Sequence, residues 1–239
     1  MKKLLSLFFI LSIFTGCVRS VEIEPPPPIK IPTISVKIET KPLPIPELTI
    51  PTEPIIEETI PEQEPMNEDL VEIQKYIPNI IVDLKYATTD NFTGVVIYDN
   101  NIARLRYGTV KKLMKVQEQL NDLGYTLVIW DAYRPKEAQF RLWEVYPDGR
   151  YVSNPHKGFS SHSRGNTVDI TIQKLNGEFV EMPTAFDDFS IKADRNYSDV
   201  SKEAKKNAVL LENIMKECGF KPYSAEWWHY SDKTSYDVI

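Results

Sequence analysis

Twelve of the chain's 18 prolines fall between Glu22 and Pro65, in a stretch with no glycine and no aromatic residue. Proline fixes φ and lacks an N–H, so it is excluded from helix interiors and central strands. The same stretch carries nine glutamates against three lysines, and it cannot bury a core. It reads as an extended acidic spacer, polyproline-like in part, with a reach on the order of 100 Å at about 3 Å per residue. Folding is thereby confined to about residues 66–239. This part holds every Trp and Tyr of the chain and is long enough for one well-buried domain.

The formal net charge is −6. The acidic spacer accounts for most of it, so the folding part is close to balanced. A nucleic-acid footprint would need a basic face, and the sequence offers none. The N-terminus, "MKKLLSLFFILSIFTGC", places two lysines before an apolar run and small residues before Cys17. That is the pattern of a secretory signal, too short to span a membrane well. Cys17 directly after Thr15-Gly16 resembles the lipid-attachment cysteine of a bacterial lipoprotein, although Phe14 stands where such signals usually carry Leu. The expectation is a signal over 1–17 with lipidation at Cys17, a spacer over 18–65, and a protein tethered to the cell envelope through its lipid. Cys218 is the other cysteine of the chain. It ends an apolar helix pattern and is expected to be a buried small hydrophobe with no disulfide partner.

Within the domain, "TVKKLMKVQEQLNDLG" repeats apolar residues at Val110, Leu113, Met114, Leu120 and Leu123, with Gln117 as a lapse. This predicts a helix capped by Thr109 and ended by Gly124. "YTLVIWD" predicts a central strand. "RPKEAQFRLWEVY" predicts a helix with Pro135 at its first position. "NTVDITI" alternates and predicts a strand, and "SKEAKKNAVLLENIMKECG" predicts a second long amphipathic helix ended by Gly219. "FKPYSAEWWHYSD" reads as strand, and "VDLKYATTDNFTG" as a strand entering a turn. Helices and strands do not alternate strictly, which favours an α+β domain with a mostly antiparallel sheet.

Some polar residues stand where burial makes them costly. Asp169 interrupts an apolar strand, His162 precedes a glycine bend, and His229 follows two tryptophans with Glu226 before them. Buried acids and imidazoles need partners. Two imidazoles and one carboxylate make a three-ligand zinc set with one vertex left for water, and a neighbouring glutamate can take that water's proton. The spacing constrains this reading. His162 and Asp169 are seven apart and would face oppositely on a straight strand, so "SRG" must be a loop bending at Gly165. Glu226 and His229, three apart, converge only at a bulge or a strand end. Arg134, at the end of the predicted central strand, stands where loops form sites; its role would be either a surface salt bridge, worth little, or the holding of an oxyanion. His156, after a proline, reads as loop and stays outside the site.

Five segments, "VDLKYATTDNFTG", "WDAYRP", "SSHSRGNTVDITI", "MPTAFDD" and "EWWHYSD", resemble the D-alanyl-D-alanine dipeptidases, zinc enzymes known from vancomycin resistance. They occur in that family's order from Ile81 to Asp232. The resemblance implies one Zn2+ per chain, held by His162, Asp169 and His229. It implies Glu226 as the catalytic base and Arg134 as the group that stabilises the tetrahedral intermediate. It further implies Asp187 as the partner of the dipeptide's ammonium, with Asp188 adjacent, and Ser161 as a substrate-binding residue. The implied fold is the small zinc D,D-peptidase and hedgehog-like α+β fold, and the implied partner is a small D,D-dipeptide. An exported, tethered chain departs from the resistance enzymes, which act inside the cell. Two other readings are weighed beside it. One is a D,D-carboxypeptidase or endopeptidase on wall stem peptides, which would have no use for Asp187. The other is a catalytically silent zinc module, which would not need Glu226 or Arg134.

Overall fold

A computed structural model describes residues 63–239. The expected signal over 1–17, the expected lipidation at Cys17, and residues 18–62 of the spacer lie outside the described residues. A small ribbon pairs β1 (Leu70–Glu72) antiparallel with β3 (Arg104–Arg106). The main sheet runs β2 (Ile81–Val82), β4 (Tyr125–Asp131), β5 (Thr167–Lys174), β7 (Glu226–Asp232), β6 (Phe220–Tyr223). Only the β2–β4 pairing in this sheet is parallel. The architecture is therefore α+β with a mostly antiparallel sheet, as the element pattern predicts. β4 is interior, but β5 holds the centre.

Two long helices, α2 (Tyr107–Asp122) and α4 (Lys202–Glu217), pack against each other and against the sheet; the short α1 (Ile73–Tyr76) touches α2. α2 buries Val110, Leu113, Val116 and Leu120, one apolar stripe at helical spacing. Several details differ from the sequence expectation. β3 runs straight into α2, so Arg106 is the N-cap and Thr109 lies inside the first turn. Thr109 is buried there and its Oγ1 donates to Asp232 Oδ2 at 2.9 Å. Met114 and Leu123 are exposed, because Val116 and not Met114 completes the buried stripe. Gln117 is a buried clamp: its Nε2 donates to Thr126 Oγ1 at 2.9 Å and its Oε1 accepts from the Leu127 N–H at 3.0 Å. That polar pair docks α2 on β4.

α3 (Lys136–Val145) starts one residue later than expected, with Pro135 at the cap. α4 is capped by Ser201, whose side chain accepts from the Ala204 N–H at 3.0 Å, and the chain leaves it through Gly219 at φ +95°. Cys218 is only half-buried, and Gln119 Nε2 approaches its sulfur at 3.5 Å. In β5, Thr167 through Ile172 are all buried. Both faces of this strand are covered, so alternation of residue type does not become alternation of exposure.

Candidate active site

Asp169 and His229 are direct cross-strand partners in the β5–β7 ladder. Paired residues project to the same face, so the register puts an acid and an imidazole side by side. Asp131, at the end of β4, pairs opposite Asp169 across a register shift between Ile129 and Asp131. His162 arrives from outside the strand, in a 3-10 turn over Ser161–Arg164. The turn is capped by the Ser160 side chain and closed by Gly165 at φ +72°, a left-handed conformation that glycine adopts freely. The seven-residue spacing is thus resolved by a turn. The three-residue spacing of Glu226 and His229 is resolved because β7 begins at Glu226, beside a bulge between Pro222 and Tyr223.

Potential ligand atoms of three residues converge. His162 Nε2 lies 3.3 Å from Asp169 Oδ2, His229 Nδ1 lies 2.9 Å from Asp169 Oδ1, and the two ring nitrogens are 3.4 Å apart. Ligands bound at 2.0–2.1 Å around a tetrahedral ion stand about 3.3–3.4 Å from one another. The outer nitrogen of His162, Nδ1, is 2.8 Å from the Ala132 carbonyl, which sets the tautomer that leaves Nε2 free to coordinate. Asp169 Oδ1 is buried and makes no hydrogen bond within the chain despite its closeness to His229. A buried carboxylate oxygen without a donor is costly, and a cation among these three residues would satisfy it. The donor set therefore fits a zinc ion. The flanking imidazoles hold the Asp169 carboxyl below its usual range, against the opposing effect of burial. Glu226 Oε2 stands 3.5 Å from His229 Nδ1, beside this cluster, and burial raises its pKa.

The "WDAYRP" and "SSHSRG" loops are latched to each other. The Arg134 N–H donates to the His162 carbonyl at 3.3 Å, reciprocating the contact to Ala132. The Arg134 side chain is buried. Its Nη2 donates to Asp131 Oδ2 at 2.6 Å, Nη1 to Gln139 Oε1 at 3.1 Å and Nε to Tyr98 at 3.4 Å, and its plane lies over the Tyr86 ring at 5.0 Å. Burial alone would weaken its charge, but Asp131 and the two tyrosines more than offset this and keep it protonated. Asp131 also accepts from the Tyr98 hydroxyl and from the Ala132 N–H.

Asp187 lies at φ +54°, a left-handed conformation tolerated by Asp. Its Oδ2 accepts from the Tyr86 hydroxyl at 2.7 Å. Burial, opposed by that hydrogen bond, raises its pKa to about 8. Asp188 points elsewhere, accepting from the Ser190 N–H at 2.8 Å on the exposed side. Ser161 Oγ is 3.5 Å from His229 Nε2, so it faces the outer nitrogen of that imidazole. His156 packs edge-on against Phe140 in an exposed loop and is not among the converging residues. Sequence reasoning missed Asp131, Tyr98, Gln139 and Tyr86. Asp131 carried a usable signal: it ends an apolar strand three residues before an arginine, and a buried acid needs such a partner.

A family model described as D-ala-D-ala dipeptidase matches residues 66–237. The chain is 36% identical over 162 residues to a D-alanyl-D-alanine dipeptidase of Escherichia coli, covering 68% of this chain and 83% of that protein. It is 35% identical over 168 residues to one of Enterococcus faecium, covering 62% and 83%. A third, from Streptomyces coelicolor, is 35% identical over 189 residues, covering 70% and 93%. A solved structure of the vancomycin resistance D,D-pentapeptidase VanY with Zn(II) aligns with a TM-score of 0.37 and 16% identity, over 57% of this chain and 76% of that one. The family match spans nearly the whole described domain, and the chain belongs to the D-Ala-D-Ala dipeptidase family of metallopeptidases.

Proposed function

We propose that this enzyme hydrolyses free D-alanyl-D-alanine, or closely related D,D-dipeptides, at a single zinc ion held by His162, Asp169 and His229. When bound, the ion supplies Lewis acidity and lowers the pKa of water toward neutrality. Glu226 accepts the proton of the attacking water as its oxygen adds to the scissile carbonyl carbon. It then delivers that proton to the leaving amine as the C–N bond breaks. Burial has raised its proton affinity, which suits a base working near neutral pH. Arg134 offers its remaining N–H groups to the carbonyl oxygen as it becomes anionic. Asp187, backed by Tyr86, takes the substrate's ammonium, and Ser161 lines the cleft beside His229.

The observation that carries this reading is the convergence of the His162, Asp169 and His229 ligand atoms, all within 4.8 Å of one another, with Glu226 against them. The test is to offer the zinc-loaded chain free D-Ala-D-Ala and its N-acetylated form side by side. Free dipeptide should be cleaved and the blocked form rejected by at least about 10²-fold in kcat/KM, since a site built for a polar group discriminates strongly against substrates that leave it unpaired. Preference for the blocked form would favour a stem-peptide carboxypeptidase instead.

Arg134→Lys should lose turnover nearly as severely as Arg134→Ala, about 10²–10³-fold. An ammonium cannot hold Asp131, Gln139 and Tyr98 at once and still present a planar fork. Steady-state kinetics on the pair check this, and near-normal turnover in the lysine variant would contradict it.

Asp187 also sets a pH dependence. Below its raised pKa of about 8 it is protonated in the free site, and pairing with an ammonium requires it to lose that proton. KM for the free dipeptide should therefore fall as pH rises from 6 through about 8, where half of the Asp187 population has lost its proton. Asp187→Asn should raise KM and flatten the profile; an unchanged profile would remove Asp187 from the ammonium site.

The spacer and the Cys17 signal support an envelope location, with the lipid as anchor and wall-derived dipeptides as substrate. Cell fractionation with a Cys17→Ser control tests it: a soluble cytoplasmic pool of the unaltered chain would refute the anchor.

A further inference from the structure

We propose that Arg195 is a positioning residue for this zinc site, fixing the β6–β7 hairpin so that His229 and Glu226 meet the other two ligands. The inference rests on the proposed roles of His229 and Glu226. Both lie on β7, and Glu226 follows directly on a tight turn at Ser224–Ala225 with a bulge beside it. Such a turn leaves the angle of the first β7 residues poorly determined by the ladder alone.

Arg195 supplies the missing constraint. Its N–H donates to the Ser224 carbonyl at 3.0 Å, its Nε to the Tyr223 carbonyl at 2.7 Å, and its Nη2 to the His229 carbonyl at 3.0 Å. One residue thus braces the turn, the end of β6 and the backbone of a ligand. The other side of the guanidinium is itself held. Nη1 donates to Glu212 Oε2 at 3.0 Å, to the Tyr230 hydroxyl at 3.1 Å and to the Tyr197 hydroxyl at 3.3 Å, and the group sits over the Tyr230 ring at 4.4 Å. Glu212 belongs to α4, so the brace ties the hairpin to the rigid helix layer. Tyr197, two residues on, lies at φ +55°. A non-glycine residue is held there only when its surroundings over-determine it. Arg195 makes no side-chain contact with His162, Asp169, Glu226 or Arg134 among its hydrogen bonds, so it acts through the backbone. A lysine could reach one of the two carbonyls its side chain now holds, but not both.

The test uses the full chain and two variants, Arg195→Lys and Glu212→Gln, with zinc affinity from chelator competition, kcat and KM at saturating zinc, and thermal melting. Outer groups that orient ligands typically contribute about 10–100-fold to metal affinity or activity. Arg195→Lys should weaken zinc by that factor and lower kcat at least about tenfold, with KM within about twofold of the parent. Glu212→Gln should shift the same two quantities in the same direction by a smaller factor. An Arg195→Lys chain with parental zinc affinity and kcat, whatever its melting temperature, would make Arg195 a fold-stabilising residue only and overturn the proposal. If that variant does not fold, Glu212→Gln decides: parental zinc affinity and kcat would overturn it. A parent chain that neither binds zinc nor cleaves dipeptide would instead refute the function proposed above.

Discussion

Glu226→Ala should retain one zinc per chain and lower kcat on D-Ala-D-Ala by about 10²–10⁴-fold, the range a positioned acid–base group contributes. Glu226 is not among the three converging ligand atoms; it stands beside them, 3.5 Å from His229 Nδ1. Its loss should therefore leave the metal in place while removing the group proposed to take a proton from water and return it to the amine. The effect should fall on kcat and kcat/KM together, with KM little changed, because the proton transfers belong to the transition state. The side chain is partly exposed, so its removal leaves no large cavity, and melting temperature should stay near that of the parent. Metal analysis, steady-state kinetics and a thermal melt on one preparation check all three. Turnover close to that of the parent would take the base role from Glu226.

His162→Ala should act on metal, activity and stability at once. The residue is buried, and its Nδ1 contacts the Ala132 carbonyl inside the loop that also carries Arg134. Removal deletes one of the three proposed ligands, so zinc should no longer co-purify and turnover should fall to background. It also strips the Ala132 carbonyl of a buried partner, at a cost of about 1–3 kcal/mol. Metal binding that depends on the folded site stabilises that site, so the parent's melting temperature should rise with added zinc. The variant's should start lower and no longer respond. A variant that keeps stoichiometric zinc and a parental melting curve would contradict the ligand assignment.

Local pattern was enough for the larger elements. α2 and α4 were legible because their apolar residues recur at helical spacing, and β4 because a short apolar run ends in a polar loop. Misreadings arose where tertiary contacts override local preference. Thr109 looks like a cap but donates across the domain to Asp232, and Gln117 looks like an error in a stripe but docks the helix on β4. His162, Asp169 and His229 could be named as candidate ligands from the resemblance, yet their convergence depends on features no local pattern encodes. These are the register that pairs Asp169 with His229 and the 3-10 turn that swings His162 over them. Tyr86 and Tyr98 escaped notice for the same reason. Tyr86 meets Asp187 across 101 positions and Tyr98 meets Arg134 across 36, and an isolated tyrosine in a turn carries no sign of either partner.

Stepwise addition of zinc to the metal-stripped full chain, with D-Ala-D-Ala turnover recorded at each step, puts the metal-centred account at risk most directly. Activity should climb from background in proportion to added zinc and stop rising at one equivalent per chain. Full turnover before any zinc is added, or none after the first equivalent has bound, would contradict it.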